Sequence, residues 1–291
     1  MNLVCIYDLN PISAKSVAEQ FNVKFSNNLD DVLSRKDIDA VTVCTPTITH
    51  KEIALKALNA GKHVLVEKPM TNTVSEAQEI LALADREGLR LMPGHIERFN
   101  PAVNYLRTLV NDRRLGTVIL LLARRVGRWP ERIGDVGVVR DSAIHDVDIA
   151  RFIFNDEVRF VYARVGSLKH TREDYAEIML QFMRGGTAFI DANWLAPRKT
   201  RTLVVTGSDA TVQLDYLTQE LSIEDSEKIT KPNIPIQEPL RNELVHFVTC
   251  ILNENPFAVT GADGLRAVEI CELVLQSAQT NRTMNSIRRH V

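Results

Sequence analysis

A lysine and a histidine with carboxylates at helical spacing are the residues of this chain best suited to chemistry. In DSAIHDVDIARFIF (141–154), Asp141, His145, Asp148 and Phe152 fall on one stripe of a helix, and Ala143, Val147, Ala150 and Phe154 form the opposite, apolar stripe. Asp141 and His145, four apart, can meet directly. Phe152 lies in the polar stripe and Ile144 and Ile149 flank it, so that stripe is expected to look into a partly closed space rather than into open solvent. Upstream, HVLVEKP places Glu67 and Lys68 where an apolar strand ends, with Pro69 stopping it. Ligands of open α/β sheets bind outside the carboxyl ends of the strands. Taken alone, Glu67-Lys68 also reads as a surface ion pair. An Asp-His pair with a lysine suits the oxidation of an alcohol, in which imidazole takes the hydroxyl proton as a hydride leaves the same carbon, and an ammonium favours the developing alkoxide. A metal held by His145, Asp146 and Asp148 fits less well, because Asp146 points off the stripe and no second histidine is paired with it; no metal is expected.

The elements that must position these residues follow from periodicity. Over the first hundred residues short apolar runs alternate with helical patterns: strands at 3–7, 23–26, 38–45, 62–67 and 89–94, helices at 11–21, 29–35, 49–60 and 73–87. AVTVC and HVLVE are apolar on both faces, as strands covered by helices on both sides should be. Asn10-Pro11 marks a helix start, and Gly61 and Gly88 mark helix ends. After a helix from Asn100-Pro101 towards Gly116, consecutive strands are expected at 117–126, 157–167, 174–183, 187–195, 201–207, 210–216 and 219–224. One helix, about 141–154, interrupts them, and two more close the chain at about 238–253 and 261–279. The fold class is therefore α/β: a Rossmann-type parallel sheet over 1–98, then an α+β substrate and oligomerisation domain over 99–291 with a large, mostly antiparallel open sheet. In the 174–183 strand Ala176, Ile178, Leu180 and Phe182 point one way and Tyr175, Met179 and Met183 the other. Either an unrecognised helix covers the second face, or that face is an oligomer interface.

Composition bounds the partners. The 291 residues are 45% apolar and 25% charged with a net charge of −2, and there is no polybasic block to bind a phosphate backbone. No apolar stretch could span a bilayer, no signal peptide opens the chain, and the four cysteines are widely spaced without a C-x-x-C pair. Neither nucleic acid nor membrane is an expected partner, and a reducing cytoplasm is the expected location.

Four segments in order, CTPTITH, HVLVEKP with Glu76-Ala77 in the helix that follows, GHIERFNP and DSAIHD, resemble the Gfo/Idh/MocA family over nearly the whole chain. The resemblance implies an NAD(P)-dependent oxidoreductase acting on sugars or cyclitols, with an open sheet that builds dimers or tetramers. It implies Lys68 as catalytic lysine, Asp141 as its carboxylate partner and His145 as acid/base. Thr45, Pro46, His50, Glu67 and Lys68 would lie along the cofactor. Asp8, at the end of the first strand, would hold the adenine ribose, which points to NAD rather than NADP.

The segment 123–149, with GHIERFNPAV and NWLAPRKTR, is most similar to the nucleotide-sugar branch typified by UDP-N-acetylglucosamine 3-dehydrogenases. Arg124, Arg125, Arg128, Arg132 and Arg140 are expected to crowd one glycine-containing loop with Trp129, and guanidinium groups match diphosphate geometry while an indole stacks on a base or sugar. Arg124, Arg125, Trp129, Asn193 and Trp194 are the expected substrate-binding residues. The alternative is a solvated loop whose arginines pair with Glu131 and Asp135. None of the thirteen glycines forms a G-x-G-x-x-G. The family pattern has a strand, a glycine turn and a helix upstream of Val4, so weakened cofactor binding and a non-catalytic sensor or scaffold role form the alternative reading.

Overall fold

The computed structural model describes residues 2–131 and 134–287. Two compact units share the chain: residues up to Gly94 with Leu244–Gly261, and His95–Glu243 with the chain from Ala262 onward.

In the first unit β1 (Cys5–Tyr7), α1 (Pro11–Phe21), β2 (Lys24–Ser26), α2 (Leu29–Leu33), β3 (Ala40–Val43), α3 (Thr47–Asn59), β4 (His63–Glu67), α4 (Val74–Arg86) and β5 (Leu91–Gly94) alternate as the periodicity predicts. All pairings are parallel, in two separate ladders, β1–β2 and β3–β4–β5. In a Rossmann strand order these correspond to the strands on either side of the central first strand. Local chemistry sets the helix ends. Asn10 Oδ1 accepts from the amides of Ile12 and Ser13, with Pro11 at the first helical position. Thr73 and Glu76 form a reciprocal capping box on α4. Val64, Leu65 and Val66 are all fully buried, so both faces of β4 are covered.

The sequence places everything after 98 in the second domain, but Leu244–Gly261 belongs to the first unit. The reason is packing. Phe247 and Cys250 are buried, Arg90 donates to the carbonyl of Cys250 and lies 4.4 Å from the Phe257 ring centroid, and a Cβ on Gly261 would sit 2.2 Å from Leu81.

The second unit contains α5 (Pro101–Asn111), β6 (Val118–Arg128), a π turn (Val139–Ala143) running into α6 (Ile144–Phe154), β7 (Val158–Gly166), β8 (Tyr175–Phe182), β9 (Thr187–Asn193), β10 (Leu195–Gly207), β11 (Thr211–Asp215), β12 (Leu221–Glu224) and β13 (Ile229–Thr230). After α7 (Pro239–Leu252), which spans the boundary between the units, come α8 (Gly261–Thr280) and β14 (Met284–Asn285). Nine strands form one sheet in the order β13-β12-β11-β10-β6-β9-β8-β7-β14, antiparallel throughout except for β6–β9. One face carries the core. Leu121, Ala123, Ile178, Leu180, Phe182 and Ile190 pack there with α6 residues such as Val147 and Ala150 and with Val274 of α8. On the other face Leu122 and Phe189 are exposed, and no described element of the chain covers them. No described helix is long and apolar enough to cross a membrane.

Candidate active site

In the first unit the expected cofactor residues gather at the carboxyl ends of parallel strands, which is where the topology puts a ligand. Asp8 follows β1, is exposed, and accepts the Asn10 amide at 2.8 Å. Thr45 and Pro46 connect β3 to α3, and Pro46 stands at the N-cap of α3 with no side-chain hydrogen bond to the first amides. Lys68 follows β4 in a cis Lys68-Pro69 peptide. An exposed carboxylate beyond β1 fits a ribose diol, and the uncapped start of α3 fits an anion. The residues present thus fit the outer parts of a dinucleotide, while the sequence contains no glycine-rich turn for its pyrophosphate.

Two of the expected cofactor residues also make bonds that hold the fold. His50 is buried with both ring nitrogens against backbone carbonyls, Nε2 at 2.8 Å from Thr45 O and Nδ1 at 2.9 Å from Pro69 O. It ties the loop after β3 to the turn after β4, and so helps to position Thr45 and Lys68. Glu67 folds back on its own chain, accepting the Lys68 amide at 3.2 Å. Its carboxylate fills the space beside Gly94, where a Cβ would come 3.1 Å from Oε2.

In the second unit α6 is more deeply buried than an amphipathic helix would be, because Ile144 through Ala150 are all buried. Its carboxylates diverge. Asp148 receives Arg98 in a bidentate pair at 2.6 and 2.8 Å, and Arg98 also reaches Asp263. Phe152 packs under the Arg98 and Arg107 guanidinium groups. Asp146 holds Arg125 at 2.7 and 3.2 Å, and Glu97 takes the same guanidinium at 2.9 Å. The expected stripe therefore splits: Asp148 and Phe152 belong to the Arg98 cluster, whereas Asp141 and His145 stay at the start of the helix. Among the described residues no group of three metal-ligating side chains forms.

Asp141 sits in the π turn, a feature that periodicity does not predict and that is common at functional sites. Ser142 Oγ donates to Asp141 Oδ2 at 3.1 Å, and the buried indole of Trp194 donates to Ser142 Oγ, also at 3.1 Å. Trp129 packs edge-on against Trp194 and stacks on His170 at 3.6 Å between centroids. The loop carrying His170 is held by buried Asp174, which accepts the amides of Leu168, Lys169 and His170.

Burial and charge oppose each other here. Burial pushes Arg125 down, but Asp146 and then Glu97 outweigh it and hold the guanidinium above its ordinary value. Burial and the charge of Asp146 push the Tyr216 hydroxyl well up. Burial holds His95 down against the pull of Asp148.

The structure does not bring the five expected substrate residues together. Arg124, Arg125 and Arg128 lie on β6 rather than in a loop, and strand alternation sends Arg124 and Arg125 to opposite faces. Arg124 pairs with Asp191 on the open face, and Asn193 bonds to the same Asp191. Arg125 and Trp194 are buried and committed as described. Of the five, Arg124 is exposed, and Asn193 and Trp129 are half-buried. Arg128 donates to the Pro197 carbonyl, and Arg132 lies outside the described residues. None of Arg124, Arg125 and Arg128 uses Glu131 or Asp135 in these bonds. Spacing does not predict Ser142, Glu97 or Asp174. Glu97 does lie in GHIERFNP, one of the four segments that carry the family resemblance.

Residues 1–95 match the oxidoreductase family with an NAD-binding Rossmann fold, and residues 103–213 match the GFO/IDH/MocA C-terminal domain. The chain is 30% identical over 95% of its length, and 87% of the relative's, to the uncharacterized oxidoreductase YrbE of Bacillus subtilis. The chain belongs to the Gfo/Idh/MocA oxidoreductase family. As a member it is an NAD-dependent oxidoreductase, and relatives that it matches are dehydrogenases of a nucleotide sugar and of inositols. It is 28% identical to the UDP-N-acetylglucosamine 3-dehydrogenase of Acidithiobacillus ferrooxidans, covering 91% of this chain and 86% of that one. The solved structure of that enzyme matches with a TM-score of 0.89 at 27% identity, over 96% of this chain and 90% of that one. An inositol 2-dehydrogenase of Rhizobium meliloti is 27% identical over 97% of this chain and 91% of its own.

Proposed function

We propose that this dehydrogenase oxidises a ring hydroxyl of a UDP-activated amino sugar to a ketone, and that Lys68, Asp141 and His145 carry the chemistry. NAD, when bound, accepts the hydride from the carbinol carbon. The hydroxyl proton passes to an imidazole nitrogen of His145, and the Lys68 ammonium stabilises the developing alkoxide. Asp141 orients and charge-balances that pair. Asp8, Thr45 and Pro46 hold the cofactor. The observation that carries this reading is the fixed carboxylate of Asp141, held through Ser142 by a buried tryptophan one helical turn before a buried histidine. The 28% relative that oxidises UDP-N-acetylglucosamine supports the substrate class.

The test is reduced-nicotinamide absorbance on mixing the protein with NAD and either UDP-N-acetylglucosamine or myo-inositol. Turnover of the nucleotide sugar, abolished by Lys68→Ala and by His145→Ala with unchanged circular dichroism, is the expected result. Turnover of inositol alone would overturn the substrate, and normal turnover by either variant would overturn the roles.

A further inference from the structure

Two cations of the second unit have no part in the chemistry above. Arg201, on β10, stands directly opposite Arg125 across the β6–β10 pair. Directly opposed residues of an antiparallel pair share a face, so Arg201 projects from the side that carries Asp146 and α6. Lys199, two residues earlier on β10, lies against Gly127, where a Cβ would come 3.7 Å from the Lys199 Cα. Glycine at 127 leaves the strand bare beside the lysine.

The acids nearby are already used. Arg201 Nη1 reaches Glu97 only at 3.8 Å, and the same Glu97 oxygen binds Arg125 at 2.9 Å. The Arg201 side chain is 34% exposed and Lys199 is exposed, so both can meet a ligand. The Arg201 charge, and then burial, hold Lys199 below its ordinary value. Burial, and then Arg125, hold Arg201 below its own. Glu97, Asp146 and Asp141 offset part of the charge on Arg201, but Lys199 feels the Arg201 charge most strongly, and an anion between the two would relieve that. The charge of Asp141 acts on Arg201 in the opposite sense, so Arg201 lies within electrostatic reach of the carboxylate assigned to the chemistry.

We propose that Lys199 and Arg201 form an anion subsite that receives a phosphate group of the substrate, selecting nucleotide-activated or phosphorylated sugars over neutral polyols. Arginine offers a planar fork for two phosphate oxygens and lysine a mobile point charge, which suits a diphosphate ester. The proposal deepens the reading of the chain as a nucleotide-sugar dehydrogenase and rests on it. Its test reads binding, not turnover.

Calorimetric titration of UDP into the whole protein, with saturating NAD present to fill the dinucleotide site, measures the subsite directly. Wild type is expected to bind UDP, and Lys199→Ala and Arg201→Gln to bind it at least tenfold more weakly, with NAD affinity and melting temperature unchanged. Lys199→Ala changes an exposed position and decides the matter if Arg201→Gln lowers the melting temperature. Lys68→Ala and His145→Ala should keep UDP binding, which separates this subsite from the proposed chemistry. No UDP binding by wild type, or equal binding by wild type and Lys199→Ala, would overturn it. So would glucuronate binding that depends on Lys199 while UDP binding does not, because the subsite would then serve a sugar acid.

Discussion

Trp194 donates its indole N–H to the hydroxyl of Ser142 at 3.1 Å, and that bond fixes the direction of the next one. An indole nitrogen is a donor only. Ser142 therefore accepts from Trp194 and sends its own proton to Asp141 Oδ2, 3.1 Å away. The carboxylate is held by a chain that begins in the core, where Trp194 is buried. Trp129 and the stacked His170 brace the other side of the same indole.

Ser142→Ala removes the link and strands a buried donor, a loss of about 1–3 kcal/mol in stability. If Asp141 orients the reacting groups, kcat should fall by about tenfold, equivalent to ~1.4 kcal/mol in the barrier. KM for the sugar should change little, because Ser142 is buried and its hydroxyl is bonded to Trp194 and Asp141. Ser142→Thr, which keeps the hydroxyl, should restore most of kcat. Steady-state kinetics on the three proteins checks this. Loss of stability with unchanged kcat would reduce Ser142 to a packing role.

Arg125 gives the second prediction. Its guanidinium is buried between Asp146 and Glu97, and Tyr216 packs against it at 5.0 Å. Removing one member of a buried ionic cluster leaves the others charged and unpaired, which costs about 3–5 kcal/mol. Arg125→Met should lower the urea midpoint accordingly. Adding Asp146→Leu should recover a good part of that loss, because one stranded carboxylate goes with it. A drop of under ~1 kcal/mol for Arg125→Met would show that water or neighbouring groups screen the site.

The two halves of the chain differ in how far their structure is legible in the sequence. In the first unit period and punctuation agree: Asn10-Pro11 and Thr73-Glu76 start helices as capping chemistry requires, and Gly61 and Gly88 adopt positive φ at helix ends. Those signals are local, and local signals survive folding. The fate of β6 is not local. Arg124 and Arg125 look alike in sequence, yet one faces Asp191 and the other lies buried between Asp146 and Glu97, 21 and 28 residues away. Which face of a strand becomes the core depends on partners that only the sheet assembles. The π turn at Asp141 escapes for another reason: helical spacing counts residues and does not register a widened turn. His50 has the motif of a ligand contact, and in the fold it is a tie between two carbonyls.

The last prediction concerns the open face of the nine-stranded sheet. Register aligns Tyr162, Met179, Phe189, Leu122 and Val204 into one apolar row across β7, β8, β9, β6 and β10. The adjoining row carries Arg164, Glu177, Asp191 and Arg124 in the same strands. An apolar band beside a row with basic residues at its ends and two acids between them has both signs available, so one surface can complement a copy of itself. Such a band left in water is costly, and large exposed apolar patches mark interfaces. We infer that a second copy of this chain covers it. Sedimentation should then give at least a dimer for the wild-type protein. Phe189→Glu, at the centre of the apolar row, should give a monomer that keeps its circular dichroism, because residue 189 points away from the core. A wild-type monomer, or an unchanged mass for Phe189→Glu, would show that this face is not what holds the copies together.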